Sequence, residues 1–452
     1  MTGLEKGLRN MLAVYRHMFT IPDLRKKILF TLMVFVIYRF GAAVTVPGAD
    51  LAQLKAFQES SNDLGIVGLL NLFSGGGLEQ FSVFALGILP YITSSIIMQL
   101  LTVVIPRLQK LQEEGQSGTK VITQWTRYLT VILALLQSTT ISFLFSRGQL
   151  TGGFQLVSEW NWWRASLIVL TMTAGTALIM WLGEQITARG VGNGMSLLIF
   201  ISIISQLPTQ FGFIFTQTVG SLNNPAARWT PFILIMAIFV VMIVAILYVD
   251  QGQRRIPIQF AKRVRGRRVY GGNSTYIPLK VNTAGVIPVI FASSVLTFPA
   301  LLVTLIPSDE NRILLSIRAW VDDNLGLQRG TTWFYIVLLF SLVVFFTYFY
   351  TAIQFDPKKQ ADILQRQGGF VPGVRPGTAT ERHLEHILNR ITLPGALFLG
   401  FITIAPSLVG LAYNITVAFS GVSLLIVVGV ALETMKQIES QLTLRNYEGF
   451  LT

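Results

Sequence analysis

The chain has 452 residues, of which 52% are hydrophobic and only 13% charged, with a mean hydropathy of +0.58 and a formal net charge of +13. That balance excludes an ordinary soluble domain of this length and describes a polytopic membrane protein with a basic surface. There is no cysteine, which rules out disulfides, a thiol nucleophile and a thiolate metal site.

The first 27 residues place Leu4, Leu8, Leu12, Tyr15 and Phe19 on one side of a helix, with Lys6, Arg9 and Arg16 on other faces. Such an amphipathic segment suits an anionic membrane surface. Pro22 and Asp23 then read as a helix start before a first span near Ile28–Val46. The length of that apolar run and the spans that follow argue against a cleavable signal peptide.

The stretch from Leu64 to Val104 is apolar for 41 residues. As one helix it would be roughly 60 Å long, about twice the hydrocarbon core of a bilayer. Ser74, Gly75, Gly76 and Gly77, followed by Glu79 and Gln80, mark the break. The expected arrangement is a half-helix, a glycine turn and a full span from about Phe81 to Val104. Backbone that is not helical at membrane depth must be buried in protein or line a watery cavity. An external loop with one greasy turn fits this stretch equally well, so the rest of the chain must decide.

Further spans are expected near Val121–Phe145, Trp163–Gly183, Ser196–Gln217, Pro231–Val249, Thr283–Leu305, Thr332–Ile353, Ile391–Gly410 and Tyr413–Leu432, ten in all. Of the 35 basic residues, 27 fall on the side of the N-terminus and the connections after even-numbered spans. Seven fall on the other side, and Arg39 lies inside the first span. This asymmetry puts both termini and the long basic loops in the cytoplasm. The fold class expected is all-α, with ten transmembrane helices in two pseudo-symmetric five-helix halves. The N-terminal half would cover 28–217 and the C-terminal half 218–432, with cytoplasmic loops 250–282 and 354–390 and a cytoplasmic tail 433–452.

Within the spans Arg39 is the only ionisable residue well away from an end; Glu184 and Glu433 lie near cytoplasmic termini. Ion-coupled transporters and pumps generally need embedded carboxylates or histidines, which disfavours that class. His383 and His386 sit in RHLEH, which matches no metalloprotease spacing, and EEGQSGTK at Glu113–Lys120 lacks the order of a phosphate-binding loop. No catalytic residue, metal site or cofactor is expected.

Two loops carry the basic charge. Loop 250–282 packs Arg254, Arg255, Lys262, Arg263, Arg265, Arg267 and Arg268 among Ile256, Ile258, Phe260 and Val264. This alternation suits a protruding hairpin, with charge for RNA phosphates or acidic protein surfaces. Positive-inside charge alone would also account for part of it. Loop 354–390 has a VPGVRPG core whose prolines and glycines shape a rigid tip around Arg375.

At these motifs the chain resembles the bacterial SecY family, the central subunits of the protein-conducting channel. The resemblance rests on NLFSGGGLEQFSVFALGILPYITSSIIMQLLTVV, RYLTVILALLQS, MWLGEQITARGVGNGMSLLIF, GQRRIPIQFAKR, RRVYGGNSTYIPLKVNTAGVIPVIFASS, FVPGVRPG and GVSLLIVVGVALE, in the family's order. It implies a channel that translocates unfolded secretory polypeptides and releases signal sequences and transmembrane segments laterally into lipid, in a bacterial plasma membrane. The implied plug is the segment 64–80, with Leu70, Phe73, Ser74, Gly75, Gly76 and Gly77. The implied pore ring is Ile88, Ile92, Met195, Ile199, Ile290 and Ile426, with methionine at 195 where branched isoleucine is usual. Thr93, Gln137 and Asn282 fall where the family has a polar cluster across a lateral gate. Arg254, Arg255 and Arg375 match docking positions for the SecA ATPase and for the ribosome, its rRNA and proteins. SecE and SecG would be the membrane partners, and signal peptides and nascent chains the substrates. A small-solute transporter and an intramembrane enzyme are the competing classes; the missing intramembrane charge weakens the first and the missing Ser/His or paired-Asp constellation the second.

Overall fold

A computed structural model of the chain describes residues 21–60, 71, 73–148, 151, 153–157, 160–219, 225–260, 263–265, 268–270, 274–304, 316, 319–321, 324, 332–413 and 420–448. Residues 1–20 of the expected N-terminal segment 1–27 and plug residues 64–70, Leu70 included, lie outside the described residues, whereas 22–27 form the start of the first helix.

The helices in chain order are α1 (Pro22–Ala43), α2 (Leu51–Ser60), α3 (Leu89–Val104), α4 (Pro106–Glu113), α5 (Gln116–Ser146), α6 (Trp162–Arg189), α7 (Gly194–Val219) and α8 (Pro225–Gln251). After strands β1 (Gln253–Phe260), β2 (Arg263–Arg265), β3 (Arg268–Tyr270) and β4 (Ser274–Lys280) come α9 (Ile287–Thr304), α10 (Trp333–Gln354), α11 (Pro357–Arg366), β5 (Gly369–Phe370), α12 (Thr378–Tyr413) and α13 (Gly421–Glu448). Seven of these helices are long and apolar enough to cross a membrane unaided, and α3 with α4, bent by 100° at their junction, makes an eighth. The 22-residue α1 and α9, with its apolar run Ile287–Leu296, occupy the two remaining expected positions. The fold is thus that of an all-α, multi-pass membrane protein.

Several boundaries differ from the sequence expectation; the tenth span begins at Gly421 rather than Tyr413, which instead ends α12. The second full span begins at Leu89 rather than Phe81, because Phe81 and Gly87 both adopt positive φ (45° and 57°) and Pro90 then sets the first helical turn. Residues 75–88 are instead a chain of turns. The ninth span starts at Thr378, thirteen residues before the expected Ile391, so RHLEH is its first helical portion rather than loop. Its Pro394 and Pro406 are carried inside a continuous helix. The last helix runs on to Glu448, so much of the segment expected as a tail is helical.

The main packing between the two groups of helices runs through α7, which lies against α8 and α13. α1 packs on α6 and α7, α3 on α5, and α9 on α10. Among the described residues none of the principal helix pairs joins α3 or α5 to α9 or α10. The principal packing thus joins the two groups through α7 and leaves the side of α3, α5, α9 and α10 thinly packed.

At the basic end, β1 pairs antiparallel with β4 from Gln253↔Lys280 to Gln259↔Ser274. β5, from the other basic loop, adds to the opposite edge through Gln259↔Phe370 and Phe260↔Gly369. Ile256, Leu279, Val371, Leu384 and Ile387 form a small apolar core beneath. The two loops, separate in sequence, are one platform.

Candidate functional site

The centre of the bundle is one continuous apolar cluster. Ile88, the residue before α3, is 1% exposed, and Ile426 of α13 is also 1% exposed; Met195 and Ile199 of α7 and Ile290 of α9 are buried beside them. Ile92 is half-buried and packs on the same cluster. The six residues expected in the ring thus all belong to, or pack on, this extended cluster, five from α3, α7, α9 and α13 and Ile88 from the residue before α3. Met195 is held by its neighbour: a Cβ on Gly183 of α6 would lie 2.4 Å from its sulfur, so the thioether fills the space that glycine leaves.

The glycine turn lies against this centre. Phe73 packs on the same apolar cluster, and Ser74, Gly75, Gly76 and Gly77 are all buried. The chain leaves helical geometry at Gly75 (φ 65°) and Gly76 (φ 91°), a left-handed pair that side-chained residues rarely adopt. Space there is also tight, since a Cβ on Gly75 would sit 3.2 Å from the Ser202 backbone on α7 and one of the two would have to give by a few tenths of an ångström. Asn71 staples the turn, donating to the Glu79 carboxylate at 2.7 Å and accepting from the Glu79 amide at 3.1 Å. The Ser74 hydroxyl accepts from the Leu78 amide at 3.0 Å.

The turn is tied to α1 and α7 through polar atoms. Arg39 Nη1 donates to the Gly75 carbonyl at 2.7 Å and to the Ser205 hydroxyl at 2.9 Å. Tyr38 Oη lies 3.2 Å from the Ser74 carbonyl and 2.6 Å from the Ser202 hydroxyl. Both contacts of Arg39 reach elements far from it in the chain, so an arginine in an otherwise apolar helix was the only signal available beforehand.

The three residues expected to close a seam do not bond to one another. Thr93 donates to the Leu89 carbonyl of its own helix at 2.9 Å, Gln137 is half-buried, and Asn282 is buried with its side-chain oxygen unpartnered. A buried amide oxygen without a donor costs about 1–3 kcal/mol, so this position favours any donor brought to it.

On the platform, Ile256 and Ile258 point inward while Arg254 and Arg255 are exposed. The Arg255 guanidinium stacks over the Tyr276 ring at 4.8 Å, which fixes a side chain that would otherwise roam. Arg375 is exposed on a turn bounded by Gly373 (φ 82°) and Gly377 (φ 102°), and its carbonyl accepts from the Thr380 hydroxyl at 2.9 Å.

A family model described as SecY matches residues 82–435. The chain is 50% identical to the protein translocase subunit SecY of Streptomyces galbus, covering 98% of this chain and all of that one. It is 47% identical to the protein of the same description from Mycobacterium bovis, with the same coverage. Among solved structures it resembles a protein-conducting channel (TM-score 0.60, 17% identity, 92% of both chains). It also resembles a SecY whose plug domain is described as stabilising the closed state and maintaining a membrane seal (TM-score 0.61, 17% identity, 92% of both chains).

Proposed function

Since this chain belongs to the SecY family, we propose that its apolar cluster, glycine turn and thin seam are respectively the constriction, plug and lateral gate of a protein translocase. The function is protein translocation across and into a membrane. The observation that carries the assignment of parts is that Phe73, on the glycine-ended segment, packs on the same buried cluster that holds five of the six ring residues and against which Ile92 also packs.

The chemistry of such a ring follows from what it lacks. Isoleucine and methionine offer no atom that can replace an ion's hydration shell, so a narrow closed ring dewets and blocks ions. The same side chains form no strong bond to a passing polypeptide, and thioether and branched chains yield to any sequence. A signal sequence intercalates at the seam between α3 and α5 on one side and α9 and α10 on the other, where little packing must be broken. Its apolar residues partition into lipid, the plug leaves the constriction, and the following chain threads through the ring. Thr93, Gln137 and Asn282 line this seam and set how strongly it stays shut.

The platform takes the machine that supplies the chain. Arg254 and Arg255 give an exposed cationic strand, and Arg375 a planar donor on a rigid tip, matching RNA phosphate or a carboxylate bidentately. The ribosome and the SecA ATPase are the proposed occupants, SecE and SecG the proposed membrane partners, and the platform faces the cytoplasm of a bacterial plasma membrane, with both termini on that side. Stalling a secretory chain midway and placing photo-crosslinkers at Ile88, Ile199 and Ile290 tests the path: all three should label the stalled chain, and labelling confined to lipid would overturn it.

A further inference from the structure

Arg39 stands near the end of α1 that lies away from the basic platform, one turn before Ala43, and it is exposed rather than sealed in the core. One amino group of its guanidinium reaches inward to the turn. That group has two protons and two acceptors, the Gly75 carbonyl at 2.7 Å and the Ser205 hydroxyl at 2.9 Å, so both bonds are made at once. The neighbouring hydroxyls are in a different position. Tyr38 and Ser202 hold two protons between them, while three contacts compete for them: Tyr38 to the Ser74 carbonyl, Tyr38 to Ser202, and Ser202 to the Leu198 carbonyl at 2.7 Å. One of the three is unserved at any moment. The Gly75 carbonyl is therefore the acceptor on the turn with a committed, charged donor.

The position of that carbonyl matters. At Gly75 the backbone turns left-handed, so its carbonyl points away from the bonds a continuing helix would give it. The Gly76 amide closes back to Asn71 and the Gly77 amide to Ser74, which leaves the Gly75 oxygen to the arginine.

We propose that Arg39 is the latch of the plug: a positioning residue that bridges α1, α7 and the glycine turn in the resting channel and sets the threshold at which a signal sequence releases the plug. This rests on the plug assignment above. A charge-assisted bond is roughly twice as strong as a neutral one, yet it is a single contact to backbone, so it can be broken without unpacking the apolar cluster. Because its acceptor is a main-chain carbonyl, the latch is insensitive to which side chains the plug carries.

The test uses the absence of native cysteine. An ideal Cβ at Gly75 lies 3.4 Å from Ser202 Cβ, near the separation disulfides adopt, so the pair Gly75→Cys and Ser202→Cys reports plug position by oxidative crosslinking. The pair is introduced into the Arg39 chain and the Arg39→Met chain, so the strain of a side chain at 75 is common to both. The translocase complex is reconstituted in proteoliposomes. Arg39→Met is expected to lower crosslink yield, raise resting ion leak about tenfold, the order of one charge-assisted bond, and admit substrates with defective signals. Arg39→Lys should fall between the two, keeping the charge but losing the fixed geometry. Unchanged crosslinking and leak in Arg39→Met would overturn the latch. If Arg39→Met does not accumulate, Arg39→Gln keeps a donor without the charge, and crosslinking and leak equal to those of the Arg39 chain there would overturn it equally. Should the Arg39 chain itself translocate no signal-bearing polypeptide, the functional assignment fails, while the crosslinking comparison still judges the latch.

Discussion

In the proposed constriction the isoleucines at 88, 92, 199, 290 and 426 act by exclusion, and the consequence of adding a polar atom is therefore specific. Ile199 is 6% exposed in the closed cluster, so an amide placed there is desolvated without a partner. An unpaired buried amide costs about 1–3 kcal/mol, which shifts a wetting equilibrium roughly ten- to a hundredfold toward the open, hydrated state. Ile199→Asn should raise ion conductance of the resting channel accordingly, and single-channel recording checks it; a silent Ile199→Asn channel would remove Ile199 from the ring. Met195 and Gly183 make a second residue-scale case. Gly183→Ala drives a Cβ into the thioether, and overpacking of this kind costs about 1–3 kcal/mol unless the flexible side chain swings clear. Thermal unfolding in detergent should show lowered stability for Gly183→Ala and its partial recovery in the double variant with Met195→Ala, a coupling that independent sites would not display.

At the scale of elements, the segment 75–88 and the basic platform show the same principle, that short irregular pieces are set by what they touch. Gly87 has φ 57°, and a Cβ there would lie 2.6 Å from the Phe73 carbonyl. Gly87→Ala should therefore push the start of α3 away from the plug and weaken the seal, read as increased leak. On the platform, β1 survives because Ile256 and Ile258 are covered by α12 and β5, while the arginines face water. Reversing the charge of Arg375 touches nothing in that core. Arg375→Glu should leave the fold unchanged by circular dichroism and lower SecA-driven translocation at least tenfold, the scale of losing one charge-assisted contact and adding a repulsion; undiminished translocation would take Arg375 out of the docking surface.

For the molecule as a whole, the proposed opening follows from the contrast between helices packed through α7 and the thinly packed side of α3, α5, α9 and α10. α7 ties the groups of helices together through α8 and α13, whereas the described residues of the seam contribute no principal helix pair. The two sides do meet at the basic end, where Lys359 of α11 donates to Glu113 of α4 at 2.9 Å. The carboxylate raises the pKa of Lys359, but both side chains are about half exposed, and pairs so exposed are worth about 0–1 kcal/mol. Glu113→Gln is accordingly expected to leave the signal dependence of translocation within about fivefold of its starting value, and a larger change would show that the clasp, rather than lipid partitioning and the latch, controls the seam.

The apolar spans, the site of the helix break, the asymmetry of charge and the shaped tip at Arg375 were all legible in the sequence, because each depends on local chemistry: apolar run length, glycine and proline backbone limits, and the cost of burying charge. The six apolar positions that the motifs singled out all belong to, or pack on, the largest described apolar cluster. What the chain could not disclose alone was which distant pieces meet. That β5 completes the sheet begun by β1, that α3 starts only at Leu89, and that Arg39 reaches the carbonyl of Gly75 are consequences of packing between segments far apart in the chain, where no local preference records the partner. Local energetics placed each element in or out of the bilayer; only the tertiary structure decided what each buried polar atom would bond to, since a donor is satisfied by geometry in space and not by its neighbours in the chain.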